Sequence, residues 1–93
     1  MTEKHIEARL TSEVKKRGGL SIKLVSPSMT GLPDRLLLLP GGMMGFVEVK
    51  QTRERPRPVQ RKRIKQLQNL GFTALVLDDI EDIGKVIDEI QRS

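Results

Sequence analysis

The chain has 93 residues, no cysteine and a net charge of +5. This length suits a single domain over residues 1–93 with a thin core, and the missing cysteine excludes disulfides, thiolate zinc sites and a cysteine nucleophile. No signal peptide is visible and no apolar run is long enough to span a bilayer, so we expect a cytoplasmic protein that does not associate with a membrane.

The first third of the chain predicts a helix followed by a strand. Residues 4–17 are predicted to be helical, because apolar side chains recur there every four positions, at Ile6, Leu10 and Val14. The Gly18–Gly19 pair then ends the helix. Residues 20–25 begin with alternating apolar and polar side chains, which is typical of a strand, and the loop over residues 26–33 contains two prolines and a glycine.

Two further strands joined by a turn are predicted next. Residues 34–39 include four consecutive leucines, which suggests that both faces of this strand are buried. Residues 40–42 have the composition of a turn, and Met43 and Met44 are expected in the same turn region. Residues 46–51 form the third predicted strand. The three strands are expected to pair as an antiparallel meander.

The second half of the chain predicts a helix, a strand and a helix. A basic loop leads into a helix over residues 59–70, which carries an apolar stripe and ends at Gly71. Residues 72–77 form a strand, expected to run parallel to the third strand because a helix connects the two. Residues 79–91 form the last helix. The prediction is an α/β fold in the order α-β-β-β-α-β-α, with a mixed four-stranded sheet flanked by helices.

Positive charge is concentrated in one segment. From Lys50 to Lys65 the chain has eight Lys or Arg and one Glu, a local net charge of +7, so the remaining residues together carry −2. Such a segment suits a polyanion, most simply nucleic acid, although a solvated basic helix face gives the same pattern. Tyr and Trp are absent and Phe occurs twice, which favours contact with backbone phosphates over stacking on bases.

Charged residues interrupt the apolar pattern of the second and third strands. Glu48 and Lys50 are two positions apart, so they point to one face of their strand at about 7 Å from each other, whereas Val47 and Val49 point to the buried face. Asp34 begins the neighbouring strand and can converge with Glu48 if the register suits. Two converging carboxylates repel each other unless a cation lies between them.

Hard oxygen ligands of this kind favour Mg²⁺ or Mn²⁺, held by Asp34 and Glu48 with the backbone carbonyl of Val49 as a further ligand. Lys50 is then placed to orient an attacking water or to stabilise negative charge that grows on a phosphate. Glu-x-Lys alone is a weak signal, because a surface ion pair on a strand explains it as well. The motif becomes more specific because Asp34 precedes it in the chain and a basic helix follows it.

In combination, these motifs resemble those of a known family. Gly-Leu-Pro-Asp at 31–34, Phe-Val-Glu-Val-Lys at 46–50 and Pro-Val-Gln-Arg-Lys at 58–62 are similar to the motifs of the PD-(D/E)XK nuclease superfamily and, more narrowly, of its VRR-NUC family. The similarity runs from Glu3 to about Ile83. It implies a restriction-endonuclease-like core and a metal-dependent endonuclease of the standalone phage and bacterial type, with no small-molecule cofactor.

The resemblance also implies a set of catalytic residues. Acids at the positions of Asp34 and Glu48 hold the metal, and the lysine that matches Lys50 serves catalysis. The glutamine that matches Gln60 completes the site. An acid on the first helix usually contributes as well. Glu7 is the preferred match, and Glu3, one turn earlier, is the rival.

The standalone members of the family resemble Holliday junction resolvases and are implied to act as homodimers. A four-way DNA junction is two-fold symmetric and needs paired cuts, which a C₂ dimer supplies. The loop before Gln60 is unusually basic and proline-rich here, which leaves the preferred DNA structure open. The candidate phosphate contacts are Arg53, Arg55, Arg57, Arg61, Lys62, Arg63 and Lys65.

Three functions therefore stay compatible with the sequence. The first is a metal-dependent endonuclease that cuts four-way junctions as a homodimer. The second is the same enzyme with another substrate, such as 5′ flaps or nicked duplex. The third is a non-catalytic DNA-binding module that uses the basic helix. The acids argue against the third, because a protein that only binds DNA gains nothing from carboxylates near phosphate.

Overall fold

A computed structural model describes residues 1–92, and the order of helices and strands in it agrees with the prediction. Two short 3₁₀ turns, at Pro40–Gly42 and Ile80–Asp82, precede the third strand and the last helix. None of the helices in the described part is long and apolar enough to cross a membrane. The elements are α1 (Glu3–Lys16), β1 (Leu20–Lys23), β2 (Arg35–Leu39), β3 (Met43–Val49), α2 (Pro58–Asn69), β4 (Thr73–Leu77) and α3 (Ile83–Arg92).

The four strands form one mixed sheet in the order β1-β2-β3-β4. β1, β2 and β3 pair antiparallel, and β4 pairs parallel to β3, so the predicted meander and parallel crossover are confirmed. Arg35 pairs with Val47. One further step along this register places Asp34 opposite Glu48, at the end of the sheet where β3 finishes.

The helices lie on both faces of the sheet. α1 and α3 pack on one face and also contact each other, whereas α2 packs against β4 on the other face. The main core lies under α1 and α3, and its residues from helices and strands are fully or almost fully buried. Gly45 lets α3 approach β3 closely, because a Cβ at this position would lie 2.6 Å from Cγ1 of Ile90. The core comprises Ile6, Leu10, Val14, Leu37, Leu39, Val47, Val49, Leu77, Ile83, Val86, Ile87 and Ile90.

Several predicted boundaries are corrected by the structure. β3 begins at Met43, so Met43 and Met44 belong to a strand and not to the turn; Gly41 and Gly42, both at positive φ, complete the reversal before them. β1 ends at Lys23, two residues before its predicted end. The last helix begins four residues later than predicted. The Asp79 side chain accepts a hydrogen bond from the backbone N–H of Glu81, and the next residues form a 3₁₀ turn before the helix.

The prediction that the leucine run of β2 is buried on both faces is wrong for one face. Leu37 and Leu39 point into the core and are buried, whereas Leu36 and Leu38 on the opposite face are partly exposed. The reason is the position of α2, which packs on β4 and leaves the other end of that face open.

Candidate active site

The Glu48 carboxylate is buried near the end of β3 and has two different oxygen environments. Its Oε2 accepts hydrogen bonds from Nε2 of Gln60 at 2.8 Å and from Nζ of Lys50, which lies 3.2 Å away. Its Oε1 is buried and has no hydrogen-bond partner among the described residues. A bare carboxylate oxygen in the interior is costly unless a donor or a cation reaches it.

Gln60 lies in the first turn of α2, and two hydrogen bonds fix the orientation of its side-chain amide against Glu48. Its Oε1 accepts from the backbone N–H of Arg57 at 2.8 Å, which satisfies a donor just before the helix begins. The amide NH₂ must therefore point the other way, towards Glu48. Pro58 supports this start because its fixed φ suits the first helical position.

Asp34 lies just before β2 and is held against the backbone of β3. Its Oδ2 accepts from the backbone N–H of Val49 at 3.0 Å. This contact explains how a residue outside the strand keeps a defined position beside Glu48. It also places the Val49 peptide beside the Asp34 carboxylate.

Lys50 follows directly after β3, and its backbone N–H donates to the carbonyl of Leu77 on β4. Only 8% of the residue is exposed. The sequence placed Glu48 and Lys50 on a presented face of the sheet; in the structure both are buried, because they lie on the face that α2 covers. Besides Glu48, the ammonium lies 3.9 Å from Oε1 of Glu54.

Burial makes the two central carboxylates hard to ionise. It raises the pKa of Glu48 to about 7; the negative charge of Asp34 adds to the rise, and Lys50 opposes it. Burial also raises the pKa of Asp34, and the hydrogen bond from Val49 opposes that rise. Both acids therefore lie where an added positive charge would stabilise their ionised forms.

The two acids of the first helix differ in their partners. Oε1 of Glu7 accepts from Nε of Arg35 at 2.9 Å, in a largely buried ion pair. Glu3, one turn earlier, has no ion pair among the described residues. Burial raises the pKa of Glu3, with the charge of Asp34 as the next cause, and the charge of Glu3 in turn raises the pKa of Glu48.

The donor set fits a hard divalent cation with two carboxylate ligands. In residues 1–92 no three His, Cys, Asp or Glu side chains are arranged as a ready-made metal cluster. Asp34 and the bare oxygen of Glu48 supply two carboxylates, and Mg²⁺ in proteins commonly binds one or two carboxylates and completes its shell with water and substrate phosphates.

The candidate phosphate contacts lie in the loop before α2 and on α2 itself. Six of the seven side chains are exposed. Arg63 is partly buried and donates to the carbonyl of Thr30 and to Oε1 of Gln66, so it also ties α2 to the loop before β2. The exposed six are Arg53, Arg55, Arg57, Arg61, Lys62 and Lys65.

Two charged neighbours of the site were not predicted from the sequence. Arg35 directly follows Asp34 and pairs with Glu7, and no sequence pattern distinguishes it from other strand arginines. Glu54 comes close to Lys50 because its N–H donates to the carbonyl of Gln51 and Arg53 adopts a positive φ of 70°. Their four-residue spacing was no signal for this contact, because that spacing brings side chains together only in a helix and this segment is a loop.

The chain matches no family model. A relative from Acyrthosiphon pisum secondary endosymbiont phage 1, named "Putative nuclease p44", is 44% identical over 85 residues, which cover 91% of this chain and 90% of the relative. A solved structure described as "VRR_NUC domain" matches 95% of this chain and 97% of its own, with a TM-score of 0.86 and 27% identity. The chain belongs to the VRR-NUC family.

A second solved structure, described as "VRR_NUC domain protein", covers 99% of this chain and 89% of its own, with a TM-score of 0.78 and 18% identity. At that identity the match concerns the fold alone. The resemblance drawn from the three motifs is thereby confirmed, and so is the restriction-endonuclease-like core of this VRR-NUC chain.

Proposed function

We propose that this VRR-NUC chain is a single-domain, metal-dependent endonuclease that hydrolyses phosphodiester bonds in DNA. The observation that carries the proposal is the Glu48 carboxylate, buried opposite Asp34 with one oxygen bound by Lys50 and Gln60 and the other bare. A structural ion pair would leave neither a bare buried oxygen nor a second acid beside it. The phage relative that is named a nuclease supports the same function.

Asp34 and Glu48 would hold Mg²⁺ or Mn²⁺, with the Val49 carbonyl as a further ligand. When bound, the cation supplies positive charge beside the scissile phosphate and favours deprotonation of the attacking water. Glu3 fits the role of the first-helix acid better than Glu7, because the carboxylate of Glu7 is already bound by Arg35.

The remaining side chains orient the reacting groups. Gln60 holds Oε2 of Glu48, which leaves Oε1 without a hydrogen bond and available to a cation. The ammonium of Lys50 has three donors and a positive charge, which suit it to stabilise negative charge on the phosphate in the transition state. Both side chains are held by the sheet or by a helix start, which keeps their positions fixed before substrate binds.

The proposed substrate is branched DNA, most simply a four-way junction cut by a homodimer, with 5′ flaps and nicked duplex as the alternative substrates. Exposed cations around the start of α2 support binding to phosphates. A non-catalytic DNA-binding module is the other candidate function. It predicts binding without metal and no functional effect of Glu48→Ala.

The proposal is tested by incubating the protein with labelled four-way junction, flap and linear duplex DNA, each with Mg²⁺, Mn²⁺ or EDTA. Lys50→Ala is the inactive control. Lys16→Ala is the matched control, since Lys16 is an exposed lysine in the last turn of α1. We expect paired cuts in the junction that EDTA and Lys50→Ala abolish and Lys16→Ala does not. Tight binding without cleavage under any metal would favour the DNA-binding module.

A further inference from the structure

An exposed lysine lies on the flank of the candidate site that is remote from α2. Lys23 is the last residue of β1 and pairs with Arg35 on β2. The two strands stay together one step further, because the backbone N–H of Leu24 donates to the carbonyl of Asp34 at 2.8 Å. The strand order β1-β2-β3 therefore places Lys23 beside Asp34, on the side opposite to Glu48.

The charge of Lys23 is not neutralised by an ion pair. Lys23 forms none within residues 1–92, whereas the adjacent Arg35 is bound by Glu7. Burial raises the pKa of Asp34, and the positive charge of Lys23 is among the influences that oppose the rise. The ammonium is therefore close enough to act on the site, yet the residue is exposed and available to a ligand.

The loop that follows β1 connects this flank of the site to α2. Residues 24–33 contain no charged side chain. Arg63 of α2 donates to the carbonyl of Thr30. Gly31 lies so close to α2 that a Cβ there would be 2.7 Å from the carbonyl oxygen of Val59. No carboxylate of this loop therefore repels a phosphate backbone that passes from α2 over the site to β1.

The separation between Lys23 and the candidate metal ligands suits a neighbouring phosphate of the same DNA strand. β1 and β3 are two strand spacings apart, so the backbone of Lys23 lies about 10 Å from that of Glu48. The phosphates of one DNA strand advance about 3.4 Å along the helix axis per nucleotide. The lysine side chain is therefore within reach of a phosphate about one to three nucleotides from the scissile bond.

We propose that Lys23 contacts a backbone phosphate of the cleaved strand on the β1 side of the scissile bond, whereas the cations at the start of α2 contact this strand on the other side. The cleaved strand then crosses the end of the sheet from α2 to β1. The inference rests on the proposed function and deepens it, because it assigns the path of the DNA over the site. It also requires a substrate that continues on both sides of the cut.

The test is binding of a labelled four-way junction, measured by fluorescence anisotropy with EDTA at several salt concentrations. Lys23→Ala should weaken binding about 5- to 10-fold near 0.1 M salt and should make the slope of log K against log salt less steep by about 1 for each bound protomer. Lys23→Arg keeps the charge and should bind as tightly as the wild type. Lys16→Ala is the matched control, since Lys16 is an exposed lysine in the last turn of α1.

A neutral methylphosphonate, placed at one phosphate after another in both strands of the pair to be cut, locates the contact. Where the contacted phosphate is neutral, Lys23→Ala should cause no further loss, because both changes remove the same interaction. At the other positions the full loss should remain. This dependence on one position separates a direct contact from general attraction by a basic surface.

Wild-type affinity and salt slope in Lys23→Ala overturn the inference, as does a loss that persists on every methylphosphonate substrate or a Lys23→Arg variant as weak as Lys23→Ala. If Lys23→Ala is unfolded by circular dichroism, Lys23→Gln decides by the same criteria. Binding needs no cleavage, so an inactive protein still tests the contact. A wild type that binds no DNA would reject the proposed function itself, whereas metal-dependent cleavage without a role for Lys23 would reject only the inference.

Discussion

The Glu48 carboxyl has to lose its proton to bind a cation, in surroundings that favour the protonated form. Its pKa is raised to about 7 in the folded chain from 4.5. For a carboxyl whose pKa is raised by folding, stability is fully present below the unfolded pKa and is lost as the pH rises through the folded value. The penalty therefore develops between pH 4.5 and about 7 in metal-free protein.

We expect the free energy of unfolding of metal-free protein to fall by about 1 kcal/mol from pH 6 to pH 8 through Glu48. Added Mn²⁺ should reverse this fall at pH 8, because a bound cation stabilises the ionised carboxylate. Urea unfolding at both pH values, with EDTA or Mn²⁺, checks the expectation. Glu48→Gln is the control, and an equal pH dependence in that variant would refute the assignment to Glu48.

The first-helix acids give a second prediction at the residue scale. Glu3→Gln should weaken Mn²⁺ binding and cleavage about tenfold or more, whereas Glu7→Gln should mainly lower stability, by about 1–3 kcal/mol, since it leaves the part-buried Arg35 unpaired. Isothermal titration with Mn²⁺ and urea unfolding separate the two effects. The reverse pattern would restore Glu7 as the acid of the site.

Glu3 and Glu7 also mark a limit of the sequence. Both lie on one face of α1 because they are four residues apart, and no sequence pattern determines how far the helix extends along the sheet. The convergence of Asp34 with Glu48 was predictable in outline, since the turn over residues 40–42 makes their strands neighbours. The hydrogen bond between Gln60 and the backbone N–H of Arg57 could not be predicted, because it depends on the residue at which α2 begins.

At the scale of elements, close contact between α3 and β3 depends on Gly45. Gly45→Ala would place a Cβ within 2.6 Å of Ile90, so α3 or β3 must shift, and we expect a loss of about 1–3 kcal/mol in the free energy of unfolding. Gly84→Ala in the first turn of α3 is the matched control. It meets nothing closer than 3.8 Å and should be neutral or slightly stabilising.

Urea unfolding of both variants tests this packing, and equal stability of the two would contradict it.

The order of elements followed from periodicity and turn residues, as the confirmed strand order illustrates. The exact first and last residues of the helices and strands could not be predicted in this way. Met43 and Met44 were assigned to a turn because glycine and proline precede them, and only strand pairing with Leu39 and Leu38 shows that the reversal is already complete.

For the molecule as a whole, charge separates across the sheet. The basic segment includes α2 on one face, whereas α3 on the other face carries Asp88 and Glu89 and follows a turn with Glu81 and Asp82. DNA is therefore expected to approach from the side of α2 and the site. The α3 helix itself is neutral overall, because Lys85 and Arg92 balance Asp88 and Glu89, but residues 78–92 together carry a net charge of −4. Repulsion of phosphates by this segment disfavours the opposite orientation.

Five phosphate contacts would give a slope of about −4 to −5 in a plot of log K against log salt. Lys62→Ala combined with Lys65→Ala should make this slope about 2 less steep, because two contacts are lost. Fluorescence anisotropy with EDTA measures it. The double variant Lys15→Ala, Lys16→Ala removes two exposed lysines from α1 and should leave the slope unchanged; equal effects of the two pairs would indicate non-specific attraction.

The side-chain amide of Gln60 links the start of α2 to the site. Its oxygen accepts from the backbone N–H of Arg57, and its NH₂ group donates to Glu48. Fraying of the first helical turn therefore removes one of the two donors to the Glu48 carboxylate and leaves the Lys50 ammonium as the other, so the helix start and this part of the site are coupled. Hydrogen exchange at the Arg57 amide would report on the same opening that removes the Gln60 donor from Glu48. A chain that has not completed this helix thus holds Glu48 through Lys50 alone, and its carboxylate gains its second fixed contact only when α2 forms.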